Sequence, residues 1–214
     1  MTVMKMVMVG GHTRNIGKTS VVEGIIRATA ELKWTAIKIT QFGHGVCSGD
    51  CGSCDCAIDV DQFSITEENA EDGGSDTARF LSAGARRSLW LRTRQGELYT
   101  ALPALRKMLE GDEFVIVESN SLRRFVNPAV YLQVVDPFNP DFKLSARQFF
   151  ELSDGYVLVD DDVNQQTAGP SPAALLLQKV INKPAFRVTA RDRFINGTVI
   201  EFIISRLNRN SARW

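Results

Sequence analysis

Residues 10 to 20 run Gly10-Gly11-His12-Thr13-Arg14-Asn15-Ile16-Gly17-Lys18-Thr19-Ser20. Small residues in such a stretch let backbone N–H groups converge on an anion. A lysine can then neutralise β- and γ-phosphates, and a hydroxyl can ligate Mg²⁺. Lys18 and Thr19 have these residue types, with Gly17 directly before them, and the amides from Asn15 to Ser20 would supply much of the phosphate contact. The chemistry such a loop would support is binding of a Mg²⁺–nucleoside triphosphate. GTP and ATP both stay open, because the guanine motif N-K-x-D has no match: Asn182-Lys183-Pro184-Ala185 lacks the aspartate. Against the usual G-x-x-x-x-G-K-S/T spacing, His12 takes the first glycine position and Gly11 lies one residue earlier, so the loop is longer by one.

The second cluster is Cys47-x3-Cys51-x2-Cys54-x-Cys56, which holds all of the cysteines. Four thiolates can complete a tetrahedral shell for Zn²⁺ or bind an iron–sulfur cluster. Cys51-Gly52-Ser53-Cys54 has the small residues that turn two sulfurs onto one metal, and His44 could add a nitrogen. A redox pair, transient metal transfer and a loop without further role are the alternatives. The surrounding residues, 41 to 76, contain acids from Asp50 to Asp76 and no Lys or Arg. That charge attracts divalent ions and disfavours a bare reactive thiolate.

Other candidates flank these clusters. Glu118 ends an apolar run, Val115-Ile116-Val117-Glu118, where an acid can hold a Mg²⁺ shell or orient an attacking water. Asp76 is either a second acid for that shell or a helix N-cap. Arg79 can meet phosphate charge, and Lys38 faces either nucleotide or solvent. Lys143 and Arg147 open a helix after a Pro-Asn-Pro loop and could approach a substrate.

Positioning these residues requires strands and helices in alternation. Strands are expected at 3–9, 34–40, 86–93, 113–118, 129–135, 155–159 and 186–189. Apolar residues at helical spacing place helices at 18–32, 76–85, 98–109, 144–152, 172–182 and 196–208. Such alternation implies βαβ units and a mainly parallel sheet between two helical layers. The expectation is one three-layer α/β/α domain over 1–214, with 41–74 as a cysteine-rich acidic insert after the second strand.

Gly11-His12-Thr13-Arg14-Asn15-Ile16-Gly17-Lys18-Thr19 resembles the G-T-x-T-x-x-G-K-T loop of dethiobiotin synthetases, with His12 in place of a threonine. The same P-loop NTPase branch includes the molybdopterin-guanine dinucleotide biosynthesis adaptors (MobB type) and the nickel-insertion GTPases of urease and hydrogenase. Asp76-Thr77-Ala78-Arg79-Phe80-Leu81-Ser82-Ala83-Gly84-Ala85 is similar to the adaptor segment D-S/T-x-R-x-x-x-A-G-A. Val115 to Glu118 resembles its Walker B strand, and Ile37-Lys38-Ile39-Thr40 its second strand. Glycine follows the adaptor glutamate; Ser119-Asn120-Ser121 follows Glu118. The matches cover roughly the first 120 residues. The resemblance implies a Mg²⁺-dependent NTPase, catalytic roles for Lys18 and Glu118, and a homodimer.

Composition narrows the classes. The 214 residues are 44% hydrophobic and 23% charged, ordinary for a globular protein. Lys plus Arg and Asp plus Glu are 25 each, which argues against a nucleic-acid binder. No apolar run is long enough for a membrane span, and the first residues are too short for a signal peptide, so a cytoplasmic protein is expected. Three functions compete: an accessory NTPase that delivers a metal or molybdenum cofactor to a client enzyme, an ATP-dependent ligase or kinase acting on a small carboxylate, and a nucleotide-switched binding module.

Overall fold

Each strand sorts its side chains between two faces of one sheet. In β1 (Lys5–Gly11), Val7 and Val9 pack on one face and Met6 and Met8 on the other, because successive strand residues alternate. All four are fully buried, as a sheet covered by helices on both sides requires. The computed structural model describes residues 3–43, 63–70, 73–159, 171–189 and 195–214. Its other strands are β2 (Thr35–Phe42), β3 (Phe63–Glu67), β4 (Arg87–Arg94), β5 (Phe114–Glu118), β6 (Val130–Val135), β7 (Gly155–Val159) and β8 (Ala185–Val188). They form one sheet in the order β3-β4-β2-β5-β1-β6-β7-β8. Only β3 runs antiparallel to its neighbour.

Helices α1 (Lys18–Ala28), α2 (Asp76–Ser82) and α6 (Gly197–Leu207) cover the Val7 face, burying Val22, Ile26, Phe80, Val199 and Ile203. Helices α3 (Leu98–Met108), α4 (Leu144–Phe149) and α5 (Pro172–Lys179) cover the other, with Leu98, Leu105, Phe149 and Ala173. Burial favours each large aliphatic side chain here by roughly 1.5–3 kcal/mol. The three-layer arrangement expected from the sequence is the one found. Among the described residues, no helix is long and apolar enough to cross a membrane.

The helices expected over 76–85, 144–152 and 172–182 end at Ser82, Phe149 and Lys179, the second passing into a 3-10 turn, Phe150–Leu152. Two further elements also differ from expectation. The helix expected over 18–32 ends at Ala28 and is followed by a 3-10 turn, Ala30–Leu32. The Thr29 hydroxyl donates to the Ile25 carbonyl (2.6 Å) and accepts from the buried Trp34 indole (2.9 Å), closing the helix there. The segment 41–74 includes a strand, β3, at the edge of the sheet; Glu67 in it pairs with Arg87 of β4 at 2.8 Å.

The topology places the functional residues. From β1 the chain crosses to β2 in one direction, and from β5 it crosses back over β1 to β6. Ligand crevices in open α/β sheets form beyond the carboxyl ends of strands at such a reversal. Here that point is Gly10-Gly11, and the β1–β5 register puts Val9 opposite Glu118.

Candidate functional site

The loop between β1 and α1 is shaped by its glycines and by one amide side chain. Gly17 precedes α1 at φ 88°, a left-handed conformation that glycine adopts without steric cost. It has no side chain to cap the helix, so the first N–H groups of α1 stay available to an anion, and no acid sits in the first turn. A Cβ on Gly10 would lie 2.2 Å from Asn120 Oδ1. That closeness serves a clamp: Gly11 N–H donates to Asn120 Oδ1 (3.0 Å), and Asn120 Nδ2 donates to the Gly11 carbonyl (2.9 Å). Gln133 Nε2 in turn donates to Asn120 Oδ1 (3.2 Å) and to the Tyr131 hydroxyl (2.5 Å). Asn120, Gln133 and Tyr131 form a polar group under the loop that motif reading missed. The Ser-Asn-Ser replacement of glycine after Glu118 was its only sequence signal.

Beyond the glycines, Thr13 is buried and its hydroxyl donates to Asp141. His12 is fully buried, and the backbone of Val134 and Asn139 approaches its ring without a hydrogen bond of full geometry. Burial lowers its pKa, so the imidazole is neutral near pH 7. Asn15 takes φ 53° and is exposed, Ile16 is buried against Gly11, and Arg14 is half-buried beside the loop.

An ionic cluster lies against the start of α1. The Thr19 hydroxyl donates to Glu118 Oε2 at 2.8 Å. Lys38 Nζ bridges Glu118 Oε1 (2.5 Å) and Asp76 Oδ2 (2.8 Å). Glu118 is only 2% exposed, so its charge requires such a partner. Burial opposes the Lys38 charge, but the two carboxylates outweigh it and raise its pKa. Burial would likewise push Asp76 up, yet bonds from Lys38 and Thr19 hold it below the usual carboxylate range. Burial depresses the Lys18 ammonium, with Glu118 opposing and Lys38 reinforcing that effect; its Nζ donates to the Thr13 carbonyl at 3.2 Å.

The sequence left two roles open for Asp76 and two for Lys38. Ser75 is the N-cap of α2, its Oγ accepting from Ala78 N–H at 3.0 Å, which frees the Asp76 carboxylate for the cluster. Lys38 faces the cluster. Arg79 holds Glu23 through Nε (3.2 Å) and Nη2 (2.6 Å) and reaches Ser20 Oγ (3.3 Å), tying α2 to α1. Cys47, Cys51, Cys54, Cys56 and His44 lie outside the described residues.

The donor set suits a hard cation. Thr19 Oγ1 and the carboxylates of Glu118 and Asp76 are oxygen ligands on one side of the loop, the kind Mg²⁺ takes together with water and phosphate oxygens. The Lys38 ammonium between the two carboxylates shows that positive charge is already favoured there.

No protein-family model matches the sequence, and no curated protein matches it at a significant level. Among solved structures, the chain is similar to HypB from Helicobacter pylori in complex with nickel. The TM-score is 0.55 at 14% identity, over 97% of this chain and 89% of that one. Bacillus subtilis MobB gives 0.40 at 15% identity, over 96% and 99%. LpxK from Aquifex aeolicus in complex with ATP gives 0.43 at 14%, over 86% of this chain and 53% of that one. At such identity the likeness to HypB is one of fold. The mainly parallel sheet, its two helical layers and the glycine loop between β1 and α1 give this chain the fold of a P-loop NTPase.

Proposed function

We propose that the chain binds a Mg²⁺–nucleoside triphosphate on residues 11–20 and hydrolyses it slowly, as an accessory NTPase in metal or molybdenum-cofactor handling. The observation that carries this reading is the Thr19–Glu118 hydrogen bond beside Lys18, at the end of a glycine loop opening α1. Lys18 leaves its Thr13 contact to neutralise the β- and γ-phosphates. Thr19, Glu118 and Asp76 are the residues that would hold the metal. Bound Mg²⁺ would supply charge neutralisation on the phosphate oxygens. Glu118 orients the attacking water: its oxygen bonds to the γ-phosphorus, the bond to the β–γ bridging oxygen breaks, and the diphosphate leaves. The water proton passes to Glu118 or to a phosphate oxygen. Lys38 compensates the two carboxylates, and its ammonium would also be within the charge field of the phosphates. Gly11, His12, Thr13, Arg14, Asn15, Ile16, Gly17 and Ser20 shape the loop, and Arg79 holds α2 against α1.

The metal-handling part rests on Cys47, Cys51, Cys54 and Cys56 and on the fold shared with HypB, whose structure was determined with nickel. In this reading the thiols hold zinc or an iron–sulfur cluster, and the protein acts as a cytoplasmic homodimer on a client enzyme. Anaerobically purified protein is compared with a variant carrying serine at all four cysteines. Stoichiometric metal lost from that variant, with nucleotide binding intact, is the expected result. Metal-free wild-type protein overturns the stable metal site. Diphosphate release that requires an added small carboxylate overturns the accessory role in favour of a ligase or kinase.

A further inference from the structure

The segment between β6 and α4, residues 136–143, meets the phosphate loop at three successive positions. The Asp141 carboxylate accepts from the Thr13 hydroxyl. The Phe142 ring lies 5.4 Å from the His12 ring. The Lys143 amide donates to the His12 carbonyl at 2.8 Å. The segment is also braced from within. Phe138 N–H donates to Asp136 Oδ1 (2.8 Å), Asp141 N–H donates to Asn139 Oδ1 (2.9 Å), and Pro137 and Pro140 fix their own φ angles. Phe142 packs on Phe150, and Phe150 on Tyr156, at centroid distances of 5.6 and 4.8 Å. Lys143 is therefore tethered through its backbone to the nucleotide loop, opposite β2 and its Lys38.

We propose that residues 136–143 form a second wall of the phosphate site and that Lys143 binds the terminal phosphate, so that the site discriminates triphosphate from diphosphate. This rests on the nucleotide reading above and names which phosphate the extra cation recognises. Asp141, the acid closest in sequence to Lys143, is engaged by Thr13. Burial, followed by the Lys18 and Arg14 charges, brings the Lys143 amine down to about 8; Lys38 adds to that and Asp141 opposes it. Cations gathered this way repel one another, and an anion of more than one charge relieves the repulsion. The loop amides serve the inner phosphates and Lys18 reaches the terminal group from the loop side only, which leaves its far oxygens for a cation on the opposite wall. Thr13, with its hydroxyl on Asp141, carries occupancy of the loop to this segment.

Binding of a non-hydrolysable triphosphate and of the diphosphate, both with Mg²⁺, is measured by calorimetry on wild type, Lys143→Met and Lys143→Arg. Loss of a charged hydrogen bond corresponds to about 10- to 100-fold in affinity. Lys143→Met is expected to lose that factor for the triphosphate and less than about threefold for the diphosphate, with Lys143→Arg recovering most of it. At about pH 8.5, wild type is expected to take up protons on binding triphosphate, seen as a buffer-dependent enthalpy, and Lys143→Met to take up fewer. Equal losses for both nucleotides, no loss, or unchanged proton uptake overturn the role of Lys143 and leave nucleotide binding standing. Wild-type protein that binds neither nucleotide overturns both.

Discussion

Asn120 acts over a short reach: both ends of its amide grip the Gly11 backbone, and Gln133 and Tyr131 hold the amide in place. Replacing it with alanine leaves two backbone groups and two side chains short of a partner, at about 1–3 kcal/mol for each buried group that water cannot reach. Asn120→Ala is therefore expected to lower the melting temperature and weaken nucleotide binding together. Gly10→Ala is expected to do the same, because its Cβ collides with Asn120 Oδ1. Denaturant unfolding and a nucleotide titration of each variant check this; wild-type stability and affinity in both would contradict a clamp at Asn120. His12 gives a pH signature. Its folded pKa lies below the ordinary 6.5, so the unfolded chain binds the proton more readily. The stability from a neutral buried His12 is thus present in full above about pH 6.5 and lost as pH falls toward the folded value. His12→Thr, the residue of the resembling loop, is expected to flatten the melting temperature between about pH 7.5 and about 5.5. A slope equal to that of wild type would contradict the assignment. Lys18, Thr19 and Glu118 were legible because each belongs to a motif with fixed spacing. Asn120, Gln133 and Tyr131 were not, because their contacts cross three strands and have no local pattern.

At the scale of elements, α2 shows how a short helix can matter. Its cap Ser75 also receives support from Glu68 Oε2 (2.9 Å), and Arg79 ties the helix to α1. The cap leaves Asp76 free to meet Lys38 and Thr19. Ser75→Ala is expected to cost about 1 kcal/mol of stability and to weaken Mg²⁺-dependent binding more than Mg²⁺-independent binding. Chemical denaturation and titrations with and without metal separate the two; a stability loss with an unchanged metal dependence would make Ser75 a cap alone. The parallel strands and the long helices were readable because both sheet faces are buried, which leaves continuous apolar runs such as Phe114 to Val117. β3 was not readable: it is five residues long, pairs on one side only and is half-exposed. The early end of α1 was hidden as well, since the Thr29 and Trp34 hydrogen bonds override an apolar period that continues to Leu32.

For the molecule as a whole, the strand order gathers the candidate residues from distant parts of the sequence. The loop after β1, Lys38 of β2, Asp76 of α2, Glu118 of β5 and Lys143 after β6 meet at one end of the sheet. The sequence showed strand and helix alternation but not which strands become neighbours, since parallel pairing is decided by packing of the entire chain. The ligand proposed for this meeting point is a Mg²⁺–nucleoside triphosphate. Calorimetric titration of ATP and GTP analogues, with and without Mg²⁺, on wild type and Lys18→Ala tests it most directly. Mg²⁺-dependent binding by wild type and a loss of about 100-fold in Lys18→Ala, the size of a removed charged phosphate contact, are expected. Absence of binding in wild type, or equal affinity in the two proteins, would contradict it.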